Sequence, residues 1–196
     1  MKFVVGLTGP TGSGKSTACR AAADLGFFVI DCDKTARKAA QDKNCLNALV
    51  NVFGQYILNP DGDLNRKALA EKAFSKKENT ELLNDTIFPF ILEILKGEID
   101  SANEEKILLD APTLFESGVD SLCNETCVIL ADPKVRFERI LQRDGLNEYD
   151  AKLRMSAGKD DQYYNKKTKH IIYNNNSEKE LYEQFTKLLK SFIGGK

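Results

Sequence analysis

Tryptophan is absent from the 196 residues, histidine occurs once, as His170, and methionine twice. A single imidazole excludes zinc sites built on paired histidines. Cysteine is the other zinc ligand, and only Cys123 and Cys127 are close in sequence, with no second pair to complete a set. Cys19, Cys32 and Cys45 bring the total to five, an odd number that argues against a disulfide framework. Also missing is a surplus of either charge. Lys plus Arg number 28 against 29 Asp plus Glu, which speaks against a general nucleic-acid or membrane surface. No apolar run approaches the roughly 20 residues that cross a bilayer. The opening MKFVVGLTGPTG meets glycine and proline too early to read as a signal peptide. Reduced thiols in the cytoplasm are the expected setting.

What is present is a regular alternation of strand and helix patterns. Residues 2–8 read as a buried strand, and 15–25 as a helix with Ala18, Ala21, Ala22 and Leu25 inward. FFVID at 27–31, KILLDAP at 106–112, TCVILAD at 126–132 and HIIYN at 170–174 read as further strands. Residues 34–105 are different, rich in Ala, Lys, Asn and Leu at helical spacing and broken by the turn NPDGD at 59–63. They read as a helical insertion. Asp132 followed by Pro133 predicts a helix start with a capping acid, and Ser177 with Glu180 a capping box. The alternation implies an α/β fold with a parallel sheet covered on both faces. One domain of this length accommodates such a core with an insertion.

Gly9, Gly14, Lys15 and Ser16 satisfy G-x-x-x-x-G-K-[ST]. Small residues let the backbone approach a phosphate chain, successive N–H groups point inward, and the next helix adds the positive end of its dipole. Lys15 would reach the β- and γ-phosphates of a nucleotide and the Ser16 hydroxyl would ligate Mg²⁺. The loop Gly12, Ser13, Gly14, Lys15, Ser16 and Thr17 is the candidate nucleotide contact. The alternative is a plain Gly/Ser turn, but the motif lies between a strand and a helix, the context a phosphate cradle needs.

Several residues are candidates for the receiving side. Asp31 and Asp33 are two apart, so they share a side if the chain stays extended. They follow a strand's carboxyl end, where ligands collect in open α/β sheets. One carboxylate there can orient or deprotonate an acceptor hydroxyl, Asp33 being preferred, and the other can hold a metal-bound water; the alternative is that one of them caps the helix starting near Lys34. Asp110 closes the apolar run ILLD and can hold Mg²⁺ directly or through water, or serve the acceptor side; a strand-end turn before Pro112 is the alternative. Arg136, Arg139 and Arg143 share a helix face. Arg139 or Arg143 is expected to grip phosphate, unless the stripe is a solvated face paired with Glu138 and Asp144. Residues 144–169, polar and without strong apolar period, read as a mobile cover. APT after Asp110 and NKKT at 165–168 lack the marks of a GTPase.

The order of LTGPTGSGKST, LGFFVIDCDKTAR, GDLNRKALAEKAF, NDTIFPFI, LLDAPTLFESG, RFERILQRDG and IIYNN resembles the dephospho-coenzyme A kinase family, from residue 5 to about 175. The resemblance implies a P-loop kinase core with a five-stranded parallel sheet flanked by helices, a helical substrate-binding insertion and a lid. Residues 1–33 and 106–196 would form the nucleotide-binding core, 34–105 the insertion and about 144–169 the lid. The implied reaction is transfer from ATP, with Mg²⁺, to the ribose 3′-hydroxyl of dephospho-coenzyme A. It makes Asp33 the acceptor-activating carboxylate, Arg37 and Arg66 substrate contacts, and Asn175 a neighbour of adenine. This chain has Gly9-Pro10-Thr11 where the family has Gly-Gly-Ile, and Phe88 at a family histidine. Its lid keeps Arg154 but has Gly158 in place of glutamine, followed by Lys159, Lys166 and Lys167 instead of arginines. Lysines supply charge without the bidentate fork. Two other readings compete. One is a shikimate- or gluconate-type kinase, which the insertion, DAPTLFE and the missing Arg-Gly-Gly loop oppose. The other is a regulatory nucleotide-binding module, which the intact Lys15, Ser16 and Asp33 oppose.

Overall fold

A computed structural model describes residues 2–156 and 158–194. They form a five-stranded sheet in the order β2-β3-β1-β4-β5. The strands are β1 (Phe3–Thr8), β2 (Phe28–Asp31), β3 (Lys106–Asp110), β4 (Glu125–Leu130) and β5 (Ile171–Tyr173). Strand β1 runs parallel to β3 on one side and β4 on the other, and β4 runs parallel to β5. Most residues of β1, β3 and β4 are buried, with the half-buried ones at the strand ends, which explains their apolar middles: a central parallel strand has no solvent face. Because these strands are parallel, their carboxyl ends lie on one edge of the sheet, and the loops that leave that edge carry the chemistry.

The chain divides into two compact units, residues 1–30 with 102–196, and residues 31–101. The first has a core in which helix α1 (Lys15–Asp24) presents Ala18, Ala21 and Ala22, all fully buried, beside Val5, Leu7 and Leu108. The small alanine face leaves room for Leu181, Phe185 and Leu189 of α9 (Glu178–Ile193) in the same cluster. Burying each of those three side chains stabilises by about 1.5–3 kcal/mol. Leu25, expected inward with the alanines, is only half-buried beyond the end of α1.

The second unit is helical: α2 (Cys32–Ala39), α3 (Lys43–Phe53), α4 (Arg66–Ala73) and α5 (Lys77–Ser101), which continues through Pro89. Cys45, Leu49 and Phe53, four apart on α3, are buried with Ile57, Leu69 and Ala73. Asp42 starts α3 by accepting the Asn44 and Cys45 N–H groups, and Asn65 starts α4 by accepting that of Ala68. The expected turn at 59–63 is present, closed by Asn59 N–H to the Asp63 carbonyl at 2.8 Å.

Three local expectations are corrected. Asp31 and Asp33 are not two residues of one extended segment, because α2 begins at Cys32 and Asp31 is its N-cap. Asp132 stands at the N-cap of α6 (Pro133–Asp144), but its side chain makes no capping bond; Pro133 at the first helical position has no N–H and sets the start. Residues 144–169 are not featureless, since they hold α7 (Glu148–Ser156) and α8 (Asp161–Asn165). Asn147 and Asp160 supply their start signals, by bonds to the Asp150 and Tyr163 N–H groups. All five cysteines are thiols. Burial pushes the Cys45 thiol up to about 11 and that of Cys123 up to about 12.

Candidate active site

The loop after β1 is built by its neighbours on the sheet edge. The Thr8 hydroxyl donates to the Pro112 carbonyl at 3.1 Å, joining the end of β1 to the turn after β3. Ser13 N–H donates to the Pro10 carbonyl at 3.2 Å and folds the loop back. Gly12 has φ +78°, and a β-carbon there would lie 2.8 Å from the Arg136 carbonyl oxygen. Gly14 has φ +107°, and a β-carbon would lie 2.4 Å from Asn174 Nδ2. Both positions combine a left-handed backbone with no room for a side chain, so glycine is required on two counts. Lys15 then reaches from the first residue of α1 back across the loop, its Nζ donating to the Gly9 carbonyl at 3.1 Å. That places an ammonium over the same loop that a helix N-terminus points at. Ser16 is exposed in the first turn of α1. The Thr17 hydroxyl turns the other way and donates to Glu178 Oε1 at 2.9 Å.

The three arginines of α6 have three different duties. Arg136 is 9% exposed and its Nε donates to the Ala131 carbonyl, which makes it a brace of the strand end. Arg139 donates to the carbonyls of Gly12, Asn174 and Asn176 and to Asn174 Oδ1, at 3.0–3.4 Å. Its guanidinium thus clamps the phosphate loop to the segment after β5. Arg143, one turn further, is half-exposed. Its Nη2 approaches Thr11 Oγ1 at 3.5 Å, and the guanidinium forms a two-point pair with Asp144. The sequence spacing put all three on one face, but burial along that face separates the buried brace from the exposed group.

Asn174 was not foreseen. It is buried, and its Nδ2 donates to the Ser13 carbonyl at 2.7 Å. Asn175, which was expected near adenine, accepts the Asp132 N–H at 2.8 Å and is exposed. Nothing in the run Asn174-Asn175-Asn176 distinguishes the inward residue, since period two within a strand only alternates faces. Glu178 was also unforeseen as a tie: it accepts Thr17 and Arg20, and these bonds hold its carboxyl below the ordinary range.

Asp110 lies half-buried at the carboxyl end of β3, in register with Leu7 of β1. Of the lysines expected in a lid, Lys159 and Lys167 lie 5.5 and 5.8 Å from the ring centre of Tyr163, a cation–π arrangement. Lys166 is exposed.

In the helical unit, Asp31 accepts the Lys34 N–H at 3.1 Å, so its carboxylate has a capping role. Asp33 lies exposed in the first turn of α2, and Arg37 follows one turn later on the same face. Glu98 of α5 fixes that helix, accepting the Thr35 hydroxyl at 2.8 Å and the Lys38 ammonium at 2.6 Å. Arg66 is exposed in the first turn of α4.

Comparison with known proteins agrees with this geometry. Residues 3–180 match the family model described as dephospho-CoA kinase. A dephospho-CoA kinase of Fusobacterium nucleatum is 34% identical over 182 residues, 93% of this chain and 94% of that one. The solved dephospho-CoA kinase of Campylobacter jejuni superposes with a TM-score of 0.70 at 30% identity, covering 100% of this chain and 99% of the other. A shikimate kinase of Bacteroides thetaiotaomicron, at 15% identity, shares the fold with a TM-score of 0.53, over 98% of each chain.

Proposed function

The chain belongs to the dephospho-CoA kinase family, and on that premise we propose that it transfers the γ-phosphoryl group of ATP to the ribose 3′-hydroxyl of dephospho-coenzyme A. The products are coenzyme A and ADP. The observation that carries this reading is the phosphate loop with Lys15 drawn across it, at the carboxyl edge of a parallel sheet. Phosphoryl transfer asks mainly for positioning and charge stabilisation, and the residues divide that work. Loop N–H groups and Lys15 hold the β- and γ-phosphates. Arg143 meets the charge that builds on the transferring group. Asp33 takes the proton of the acceptor hydroxyl, while Arg37 and Arg66 bind the acceptor. Arg139 and Asn174 keep the loop in shape beneath the nucleotide. Residues 31–101 serve as the acceptor-binding unit and 144–169 as the lid.

Ser16 and Asp110 fit a Mg²⁺ ion that arrives with ATP. One hydroxyl and one carboxylate are hard oxygen donors, and Mg²⁺ characteristically takes one or two protein ligands with phosphate and water completing the set. When bound, the ion neutralises charge on the β- and γ-phosphate oxygens. No described helix is long and apolar enough to cross a membrane. The thiol state of all five cysteines supports a cytoplasmic setting.

The test is ADP release with dephospho-coenzyme A against a panel of shikimate, gluconate and nucleosides. Turnover is expected with dephospho-coenzyme A alone. Equal turnover of shikimate or gluconate would favour the rival kinase, and no turnover with any acceptor a regulatory module.

A graded result is expected for the cations. Arg143→Ala should lower turnover at least tenfold, as loss of a charge-assisted contact made in the transition state does. Lys166→Ala and Lys167→Ala should each cost less than about 1 kcal/mol, the scale of exposed point charges. Steady-state rates at saturating ATP and dephospho-coenzyme A measure this. Equal losses at a lysine and at Arg143 would make the lid lysines full partners in catalysis.

A further inference from the structure

The carboxylate of Asp144 has both oxygens occupied by guanidinium donors. Arg143 Nε donates to Oδ1 at 2.7 Å and Arg143 Nη2 to Oδ2 at 2.9 Å, a two-point pair. Arg154 Nη1 donates to Oδ2 at 2.8 Å. Asp144 is the last residue of α6, Gly145 turns the chain with φ +61°, and Arg154 comes back from α7 ten residues later. The return path is fixed in two ways. Asn147 and Asp150 exchange hydrogen bonds at 2.7 and 2.9 Å at the start of α7, and Lys152 of α7 lies 5.6 Å from the Phe137 ring centre of α6.

We propose that Asp144 is a positioning residue of the phosphoryl transfer, a shared counter-ion that holds Arg143 and Arg154 side by side as a two-pronged anion clamp. This rests on the reading of Arg143 as a phosphate-gripping group. Three physical points support it. First, a carboxylate at a helix C-terminus faces the negative end of the dipole, so it is unfavourable there without a cation beside it. Second, two guanidiniums brought together repel each other and lose much rotamer freedom, and one carboxylate between them offsets both costs. Third, exposure is divided unequally. The Asp144 side chain is 17% exposed, whereas those of Arg143 and Arg154 are 58% and 51% exposed. The anion lies beneath and the cations face out. Among the described residues only Nε and Nη2 of Arg143 are occupied, so Nη1 keeps its outward donors for an incoming oxyanion. The Arg143 hydrogen bond holds the Asp144 carboxyl below its ordinary range, so it remains a counter-ion at neutral pH.

The experiment compares the full-length protein with D144N, D144E, R154A, R143A and the D144N/R143A double variant. The readings are kcat, the KM for ATP at saturating dephospho-coenzyme A, and the thermal midpoint. D144N should lower kcat at least about tenfold while the KM for ATP rises less than about threefold, because ground-state attraction to the nucleotide is not lost when a negative charge is removed. D144E should return kcat to within about threefold of the parent. R154A, which leaves the helix terminus intact, should lower kcat at least about threefold. In the R143A background D144N should cost clearly less than in the parent and no more than R154A does, since only Arg154 remains for it to hold. Parental or raised kcat in D144N overturns the proposal, as does an equal loss in both backgrounds, or a loss in D144E as large as in D144N. Parental kcat in R154A overturns the two-pronged form. Parental kcat in R143A instead removes the premise about Arg143.

Discussion

Lys15→Ala should reduce turnover by three orders of magnitude or more and leave the fold intact. Lys15 lies half-buried at the first position of α1, outside the apolar cluster that holds that helix. Its hydrogen-bond partner among the described residues is a loop carbonyl, and a bond of that kind from a charged donor contributes about 1.5–3 kcal/mol of stability. Its contribution to the reaction is of another size. A preorganised cation aimed at the transferring phosphoryl group contributes several kcal/mol to the transition state, and each 1.36 kcal/mol is a factor of ten. Circular dichroism should therefore match the parent, with the thermal midpoint lowered by no more than the loss of that one bond, while kcat collapses. Turnover within a factor of two of the parent would remove Lys15 from the mechanism and, with it, the reading of the loop as a phosphate cradle.

The second large effect is expected at Asp33. Asp33→Asn keeps size and hydrogen-bonding capacity but removes the charge and the basicity. Turnover should fall by about two to four orders of magnitude with ATP binding preserved, the scale of a lost general base. Asp31→Asn should do far less, for a reason visible in the structure. Asp31 is engaged as the N-cap of α2, and asparagine caps a helix about as well as aspartate. Parallel measurements of kcat and nucleotide affinity separate the two. The reverse ranking would transfer the acceptor role to Asp31 and return Asp33 to the helix surface.

These two residues also show how far sequence patterns reach. The phosphate loop was legible because its demands are local: glycine where φ is positive, lysine and serine at fixed offsets. The central strands were legible because burial on both faces leaves only apolar residues. Asp31 and Asp33 were located, but the assumption of an extended backbone failed, since the helix start depends on which residue offers its carboxylate to a later N–H. Asp132 and Pro133 failed in the opposite way: the proline sufficed, and the aspartate contributed its N–H to Asn175 instead. The stripe Arg136, Arg139 and Arg143 was right as a helix face, but the division into brace, clamp and outward group depends on what the face packs against. Asn174 was missed for the same reason: its partner Ser13 is 161 residues away, and no periodicity reports such a pairing. Asp144 was named as a partner of the stripe, and it pairs with Arg143, but its second bond, to Arg154 ten residues on, was not foreseen. Helices α7 and α8 were missed because short polar helices carry almost no apolar period.

The discontinuity of the first unit has a consequence for the order in which the protein acquires its parts during synthesis. The helical unit is one unbroken stretch with its own apolar cluster, so everything it needs has left the ribosome once residue 101 emerges. The phosphate loop is made earlier, yet the helix that follows it packs its alanine face into a cluster completed by Leu181, Phe185 and Leu189, far later in the chain. At about 5–20 residues per second, residues 102–196 take on the order of 10 s to synthesise. For that interval the nascent chain carries a complete helical unit and an earlier loop whose supporting layer does not yet exist. The loop therefore gains its support only after residues 31–101 are complete, although it is translated before them.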